Sequence, residues 1–169
     1  MTAVNEQLVV NGSFQTGNLD GWGVLDPAKH IVMEYSQKRH CVVQLPASGK
    51  EALTQYFWAE PGTYQLSVMH RATNEQGRPV DVRTLHGGGV SFTDSHGNLV
   101  TSPMLLVSKQ AWGQTSTEVV IEAGEPPTEI KMSFQNIDNS ASEALGRSLG
   151  IQFEESPFAL TKLSFWRIR

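Results

Sequence analysis

Four side chains in three predicted strands could bind a ligand through noncovalent contacts. Each lies on the opposite strand face from a residue expected in the core, since successive side chains of a β-strand point to opposite faces. An aromatic ring offers a flat surface for stacking, and a guanidinium or an amide offers planar hydrogen-bonding groups. The expected core residues are Phe57, Val68 and Phe134. We therefore predict one concave binding face that carries Tyr56, Trp58, Arg71 and Gln135.

The residue types of common catalytic sites are present, but their spacing does not fit catalysis. Asp94, Ser95 and His96 are adjacent in a turn signal, whereas a catalytic triad needs three groups brought together in a set geometry. Glu154 and Glu155 are neighbours, so on a strand they would point to opposite faces and could not act together as a glycosidase pair. The five histidines show no spacing typical of metal ligands. The sequence therefore predicts neither an enzyme nor a histidine metal site.

Length and charge narrow the class of protein further. A chain of 169 residues suits one globular domain, and its 39% hydrophobic and 18% charged residues exclude a disordered chain. The net charge of −4, with no basic run beyond residues 38–40, argues against nucleic acid as a partner. No apolar run is long enough for a membrane span, and residues 1–7 do not resemble a signal peptide. Cys41 is alone, so no internal disulfide is expected, and its strand-like surroundings predict a buried thiol.

Turn signals divide the chain into about nine or ten short strands, because its 15 glycines and eight prolines are spread throughout. Three consecutive glycines at 87–89 predict a bulge or flexible bend that divides one strand into the segments 79–85 and 90–93. Other predicted strands are 7–10, 30–35, 41–45, 51–58, 64–71, 99–107, 115–122, 128–136 and 160–168.

One short helix is predicted near the C-terminus, over residues 140–150. Ser140 and Glu143 fit a capping box, and Gly150 is placed to end the helix. The whole pattern indicates an all-β fold, an antiparallel β-sandwich or jelly roll with this one helix. We expect residues 1–169 to form a single domain of this type.

The stretch from residue 11 to 22 combines two tight-turn signals with two aromatic anchors. Asn11-Gly12 and Asp20-Gly21 supply turn geometry, and we expect Phe14 and Trp22 to be buried. The pattern N-G-x-F-x-x-G-x-x-x-G-W resembles the opening of carbohydrate-binding modules of the xylanase and cellulase type, in the galactose-binding-like β-sandwich superfamily. Further segments are similar to that family in the right order, namely 53–57, 61–67, 112–115 and 160–168.

The resemblance implies a noncatalytic carbohydrate-binding domain with a glycan partner, and an extracellular location if it binds glycans. It also implies that Trp22 and Trp112 are core aromatics. On the predicted face, Tyr56 and Trp58 would stack on a sugar ring, and Arg71 and Gln135 would bind hydroxyl groups. The alternative is a structural or protein-interaction domain of the same fold, such as a subunit of a phage appendage, a surface assembly or a secreted toxin. The sequence leaves the sugar, the partner and the oligomeric state open.

Many members of the family hold a structural calcium between the opening loop and the last strand. The acidic residues that help to bind it correspond here to Ser13, Gln15 and the pair Thr161-Lys162. Calcium binding depends on several oxygen ligands, with carboxylates supplying most of the affinity. We therefore expect no cofactor and no structural calcium, although backbone carbonyls and Asp20 stay possible ligands.

Overall fold

Two antiparallel five-stranded sheets make up the fold in a computed structural model that describes residues 5–45, 53–81, 87–122, 128–136 and 157–169. A single-turn 3-10 helix, Pro27–Lys29, precedes the second strand. The strands are β1 (Gly23–Val24), β2 (His30–Ser36), β3 (Arg39–Gln44), β4 (Leu53–Ala59), β5 (Gly62–Ala72), β6 (Gly87–Thr93), β7 (Met104–Val107), β8 (Gly113–Ile121), β9 (Thr128–Asn136) and β10 (Phe158–Arg167).

Each sheet has one outward surface, which is named here after its sheet. The front sheet has the order β1-β4-β9-β6-β7, and the back sheet has the order β2-β3-β10-β5-β8. Their outward surfaces are called the front face and the back face. The inward residues of both sheets form one apolar core, so the predicted antiparallel β-sandwich is confirmed.

Aromatic rings fill the centre of this core. The ring of Phe165 lies 5.0 Å from those of Phe57 and Phe92 and 5.1 Å from that of Tyr64, measured between centroids. These residues come from both sheets, so the contacts join the two layers. The alternation predicted for β4, β5 and β9 is confirmed by their burial patterns.

Residues 7–10 do not form the predicted first strand, because side-chain amides take the hydrogen bonds that a ladder would use. Gln7 Oε1 accepts from the backbone N–H groups of Val9 and Phe165, and Gln55 Oε1 accepts from that of Val10. Only an isolated bridge joins Gln7 to Trp166. Residues 5–8 nevertheless lie beside β10, because the backbone N–H groups of Asn5 and Leu8 donate to the carbonyls of Arg167 and Phe165.

The three glycines at 87–89 also differ from the prediction of a bulge or bend, since they lie inside β6 and pair with β7 and β9. Gly88 is buried, and a Cβ atom there would overlap the ring of Phe158 and the carbonyl of Gln135. Glycine at this position lets a back-sheet aromatic approach the front-sheet backbone.

Several predictions fall outside the described residues. They are the helix at 140–150, the Glu154-Glu155 pair and part of the strand at 79–85. Within the described ranges, no helix is both long and apolar enough to cross a membrane.

Candidate functional site

Two large aromatic side chains stand in solvent on the front face. Tyr56 is 57% exposed and Trp58 is 64% exposed, whereas Phe57 between them packs into the core. The cause is the strand alternation of β4, in which Leu53, Gln55, Phe57 and Ala59 point inward. Placing two neighbouring rings on one outward strand face creates a surface suited to stacking.

A groove of about 500 Å³ runs over this face beside Tyr56. The polar residues that line it come from the three adjacent strands β4, β9 and β6, and the β1 edge adds apolar contacts. Gln135 lines the groove together with Tyr56, whereas Trp58 shares the front face without lining the groove. Of the four predicted residues, the structure thus places Tyr56, Trp58 and Gln135 on the front face. The remaining lining residues are Gly23, Val24, Leu25, Thr54, Ser91, Thr93, Lys131 and Ser133.

Lys131 and Ser133 were not among the predicted site residues, although the sequence held a signal for them. They share the outward side of β9 with Gln135, because residues two apart on a strand point the same way. Lys131 lies opposite Tyr56 on β4, and Ser133 lies opposite Thr54. Reading the whole outward row of β9, rather than one residue, would have found both.

A second cavity of about 620 Å³ lies at the Trp58 end of the front sheet. Trp58 and Glu129 are opposite each other on β4 and β9, and both line this cavity. Asp94 lines it too, from the turn after β6. The carboxylate of Asp94 accepts backbone hydrogen bonds from Asn98 and His96, and these bonds lower its pKa. This acidic residue therefore caps a turn and is not part of a triad.

The prediction that Arg71 lies on the same face as Tyr56 is wrong. Arg71 lies on β5, which belongs to the back sheet, and its side chain points outward on the back face. The guanidinium lies 4.5 Å from the ring centroid of Trp112 and 5.8 Å from that of Tyr35. Alternation correctly indicated that Arg71 points outward, but it holds no information on which sheet a strand joins.

The Arg71 stack covers a small apolar cluster on the back face. Cys41, Val43 and Ala159 are its buried members, and Tyr35 and Trp112 pack against them. Burial raises the pKa of the Cys41 thiol to about 11, although the nearby Arg71 charge acts in the opposite direction. Cys41 is thus a buried thiol, as expected, and Trp112 belongs to this cluster instead of the main core, contrary to expectation.

The opening loop is held by side-chain amides. Gln55, buried on the inner side of β4, donates through Nε2 to the carbonyls of Val10 (2.9 Å) and Gly21 (3.2 Å). Asn11 Nδ2 donates to the carbonyls of Asn18 (3.1 Å) and Asp20 (3.0 Å). The Gln55 bonds tie both ends of the loop to β4, and the Asn11 bonds link the two ends of the loop to each other. We call Gln55 and Asn11 the amide clamp.

The clamp positions one wall of the groove, because the loop leads directly into β1. Trp22 Nε1 donates to the carbonyl of Asn11 at 3.0 Å, and the Trp22 ring packs 5.8 Å from that of Phe14. Both rings are buried, as predicted. β1 then pairs with β4 through Gly23 and Thr54, next to the groove.

The loop residues do not provide the oxygen ligands of a calcium ion such as carbohydrate-binding modules hold at this place. Calcium needs several oxygen ligands directed at one point. Here the carbonyls of Asn18 and Asp20 receive hydrogen bonds from the Asn11 amide. The part of the chain that the structure describes holds no group of three or more His, Cys, Asp or Glu residues that could bind a metal.

A buried polar network joins the two sheets at His70. Its Nδ1 lies 2.9 Å from Ser108 Oγ and its Nε2 lies 2.7 Å from Thr115 Oγ1. Burial lowers the pKa of His70, which favours the neutral ring. His70 and Ser108 are both almost fully enclosed, so their contact has a structural role and offers no access to a substrate.

Comparison with known proteins shows which solved structures share this fold. No protein-family model and no curated protein match the sequence. Among solved structures, the enzymatically active domain of the bacteriophage CBA120 tailspike protein 4 is 17% identical, with a TM-score of 0.56 over 96% of this chain. A family 61 carbohydrate-binding module in complex with β-1,4-galactotriose is 12% identical, with a TM-score of 0.56 over 96% of this chain. An arabinose-bound α-L-arabinofuranosidase is 13% identical, with a TM-score of 0.61 over 96% of this chain.

The matched proteins differ greatly in size. The chain spans 21% of the tailspike protein and 26% of the arabinofuranosidase, but 99% of the carbohydrate-binding module. At these identities the similarity shows the fold. The β-sandwich is thus shared with carbohydrate-binding modules and with parts of larger proteins.

Proposed function

We propose that this protein is a noncatalytic carbohydrate-binding domain whose glycan lies along the front face. The observation that supports this proposal best is the exposure of Tyr56 and Trp58 next to each other. Isolated exposed aromatics are common, but two neighbouring rings, one of which lines a polar groove, form a surface suited to sugar stacking.

The groove lining supports the same function. Thr54, Ser91, Thr93, Ser133 and Gln135 carry hydroxyl and amide groups that can both donate and accept hydrogen bonds. Sugar hydroxyls need partners of both kinds, whereas the apolar C–H side of a pyranose needs a flat ring. The fold shared with carbohydrate-binding modules adds support to this interpretation.

The expected affinity is modest. The groove is open to solvent, so a bound glycan would exchange well-solvated hydroxyls for protein contacts with little gain in burial. Stacking on Tyr56 and Trp58 would then supply most of the net free energy. Removing either ring is therefore the sharpest test.

A glycan array, run on the isolated protein with calcium and with chelator, tests the proposal. A bound glycan should lose most of its affinity for Trp58→Ala and for Tyr56→Ala, while the melting temperature stays nearly unchanged. Trp112→Ala is the matched control, because it removes an aromatic from the back face. Its glycan affinity should equal that of the unsubstituted protein.

Two outcomes would overturn the proposal. Unfolding of Trp58→Ala would show that this ring stabilises the core, against its observed exposure. Absence of any glycan whose binding depends on Trp58 or Tyr56 would favour the interaction-domain alternative. In that case the exposed Leu105 and Val107 on the outward side of β7 would be the first surface to test for a protein partner.

A further inference from the structure

We infer that the front groove is selective for an acidic glycan, with a carboxylate or sulfate group held at Lys131. This inference rests on the proposed function and adds the chemical class of the ligand. It follows from the position of Lys131, from the charges around it, and from the distribution of acids along the front sheet.

Lys131 lies at the Tyr56 end of the groove, on the middle one of the three strands that supply its polar lining. Its strand, β9, is the central strand of the front sheet, and Lys131 pairs with Tyr56 on one side and Thr93 on the other. The side chain is half-buried among these neighbours. A sugar stacked on Tyr56 would therefore place its substituents within reach of the ammonium group.

The charge of Lys131 is not balanced inside the groove. The lining residues that the structure describes include no carboxylate, and Lys131 is their only charged member. Ion pairs between described residues join Arg167 to Glu60 and Arg169 to Glu118, both away from the groove. In a protein with a net charge of −4, this groove is a local basic site.

The nearest acidic residue on the same outward row of β9 is the next one toward the Trp58 end of the front sheet. Glu129 is two residues before Lys131 on β9 and lies opposite Trp58. It lines the end cavity together with Asp94 and Glu122. The front face thus has a basic centre at Tyr56 and an acidic end at Trp58, so an anionic group is attracted to the first and repelled from the second.

A neutral glycan would gain little from this arrangement. The ammonium group of lysine is strongly hydrated, and covering it with a ligand that offers only hydroxyls removes water without replacing the charge interaction. A carboxylate or a sulfate provides that interaction. The hydroxyl and amide groups around the lysine already suffice for neutral sugars.

Matched pairs of polysaccharides test this selectivity. Binding to polygalacturonate is compared with binding to its methyl ester, and binding to a sulfated galactan with binding to its desulfated form, by isothermal titration calorimetry. The acidic member of at least one pair should bind roughly fivefold more tightly at low salt. The pair that shows the difference identifies carboxylate or sulfate as the preferred group. Raising the salt concentration from 0.05 to about 0.5 M should reduce the difference.

Substitutions of Lys131 test whether the selectivity arises in the groove. Lys131→Met should abolish the preference for the acidic member, and Lys131→Glu should reverse it, with unchanged melting temperatures because the side chain points outward. Lys109→Met is the control, since it removes the same charge from an exposed position after β7. It should keep the full preference.

The failures of the two proposals are distinguishable. If the protein binds neutral glycans through Trp58 with equal or higher affinity, or if Lys131→Met retains the preference, the inference is wrong and the carbohydrate-binding function stands. If no glycan on the array or in the pairs shows binding that depends on Tyr56 or Trp58, the proposed function fails and the inference fails with it.

Discussion

On the front face Tyr56 and Trp58 extend into solvent, whereas on the back face Tyr35 and Trp112 pack around the guanidinium of Arg71. Both faces therefore combine aromatic rings with a cation on the outward side of a sheet. On the back face the rings and the cation contact one another. Between the residues that the structure describes, neither Tyr56 nor Trp58 makes such a ring or cation contact.

The difference lies in what is beneath and beside the rings. The back-face rings cover the buried side chains of Cys41 and Val43, so that their packing contributes to the fold. On the front face, Tyr56 lines a groove of polar side chains that includes Lys131, and Trp58 lines the neighbouring cavity. Outward aromatic and cationic residues on a strand thus indicate a binding surface only where they are exposed to solvent and do not already pack against one another.

The largest expected effect concerns the core that separates the two faces. Trp22→Ala should lower the free energy of unfolding by about 3–5 kcal/mol, because it removes a buried ring that packs on Phe14 and Phe134. Urea denaturation measures the change. A loss of only a few tenths of a kcal/mol would show that Trp22 does not anchor the loop.

A smaller change in stability should distinguish the packed aromatic residues of the back face from the exposed ones of the front face. Trp112→Ala should destabilise the protein by about 1–2 kcal/mol, since it loses partial burial and the stacking with Arg71. Trp58→Ala should change stability by less than about 0.5 kcal/mol. Equal losses in the two variants, measured by urea denaturation, would remove the distinction drawn between the faces.

The contribution of the His70 network to the free energy of unfolding should depend on pH. Burial holds the pKa of His70 below its ordinary value of 6.5, so the unfolded chain binds a proton more readily than the folded one. The contribution of neutral His70 is complete above pH 6.5 and decreases as the pH falls below it. Comparing urea denaturation at pH 7.5 and 5.5 should show a weaker pH dependence in His70→Asn than in the unsubstituted protein.

His96→Asn is the matched control for this prediction, because His96 is exposed in the turn after β6. It removes one titratable imidazole without touching the core. An identical reduction in both variants would assign the pH dependence to the general charge of the protein instead of to His70.

The smallest expected effect is that of calcium on the loop that supports the front face. Because the amide clamp holds the loop through its own hydrogen bonds, melting with millimolar calcium should match melting with chelator. Asn11→Asp should lower the melting temperature in chelator, since a carboxylate would then face the carbonyls of Asn18 and Asp20. A marked calcium-dependent rise in the unsubstituted protein would contradict the role assigned to the clamp.

Much of the local structure was predictable because it depends on neighbouring residues. The hairpin of β2 and β3, the bounds of β9 and the burial of Phe14 and Trp22 follow from turn signals and alternation. The same alternation predicted the outward positions of Tyr56 and Trp58. The similarity of the opening loop to carbohydrate-binding modules supported the prediction of the β-sandwich fold.

Predictions failed where distant contacts outweigh local pattern. Residues 7–10 have an apolar strand-like sequence, but the Gln7 and Gln55 side chains take their backbone hydrogen bonds. The glycines at 87–89 resemble a bend, but their lack of side chains lets Phe158 approach β6 from the other sheet. Gln55 and Phe158 are both far in sequence from the segments that they alter.

The sequence by itself determined which side chains point outward, because a strand fixes the side of each residue relative to the next. Only the tertiary structure decided which outward side chains meet. Arg71 and Gln135 both lie on outward strand faces, yet β5 pairs with β10 and β8 while β9 pairs with β4 and β6. Strand partners are selected by packing across the whole core, so Lys131 and not Arg71 is the cation beside Tyr56.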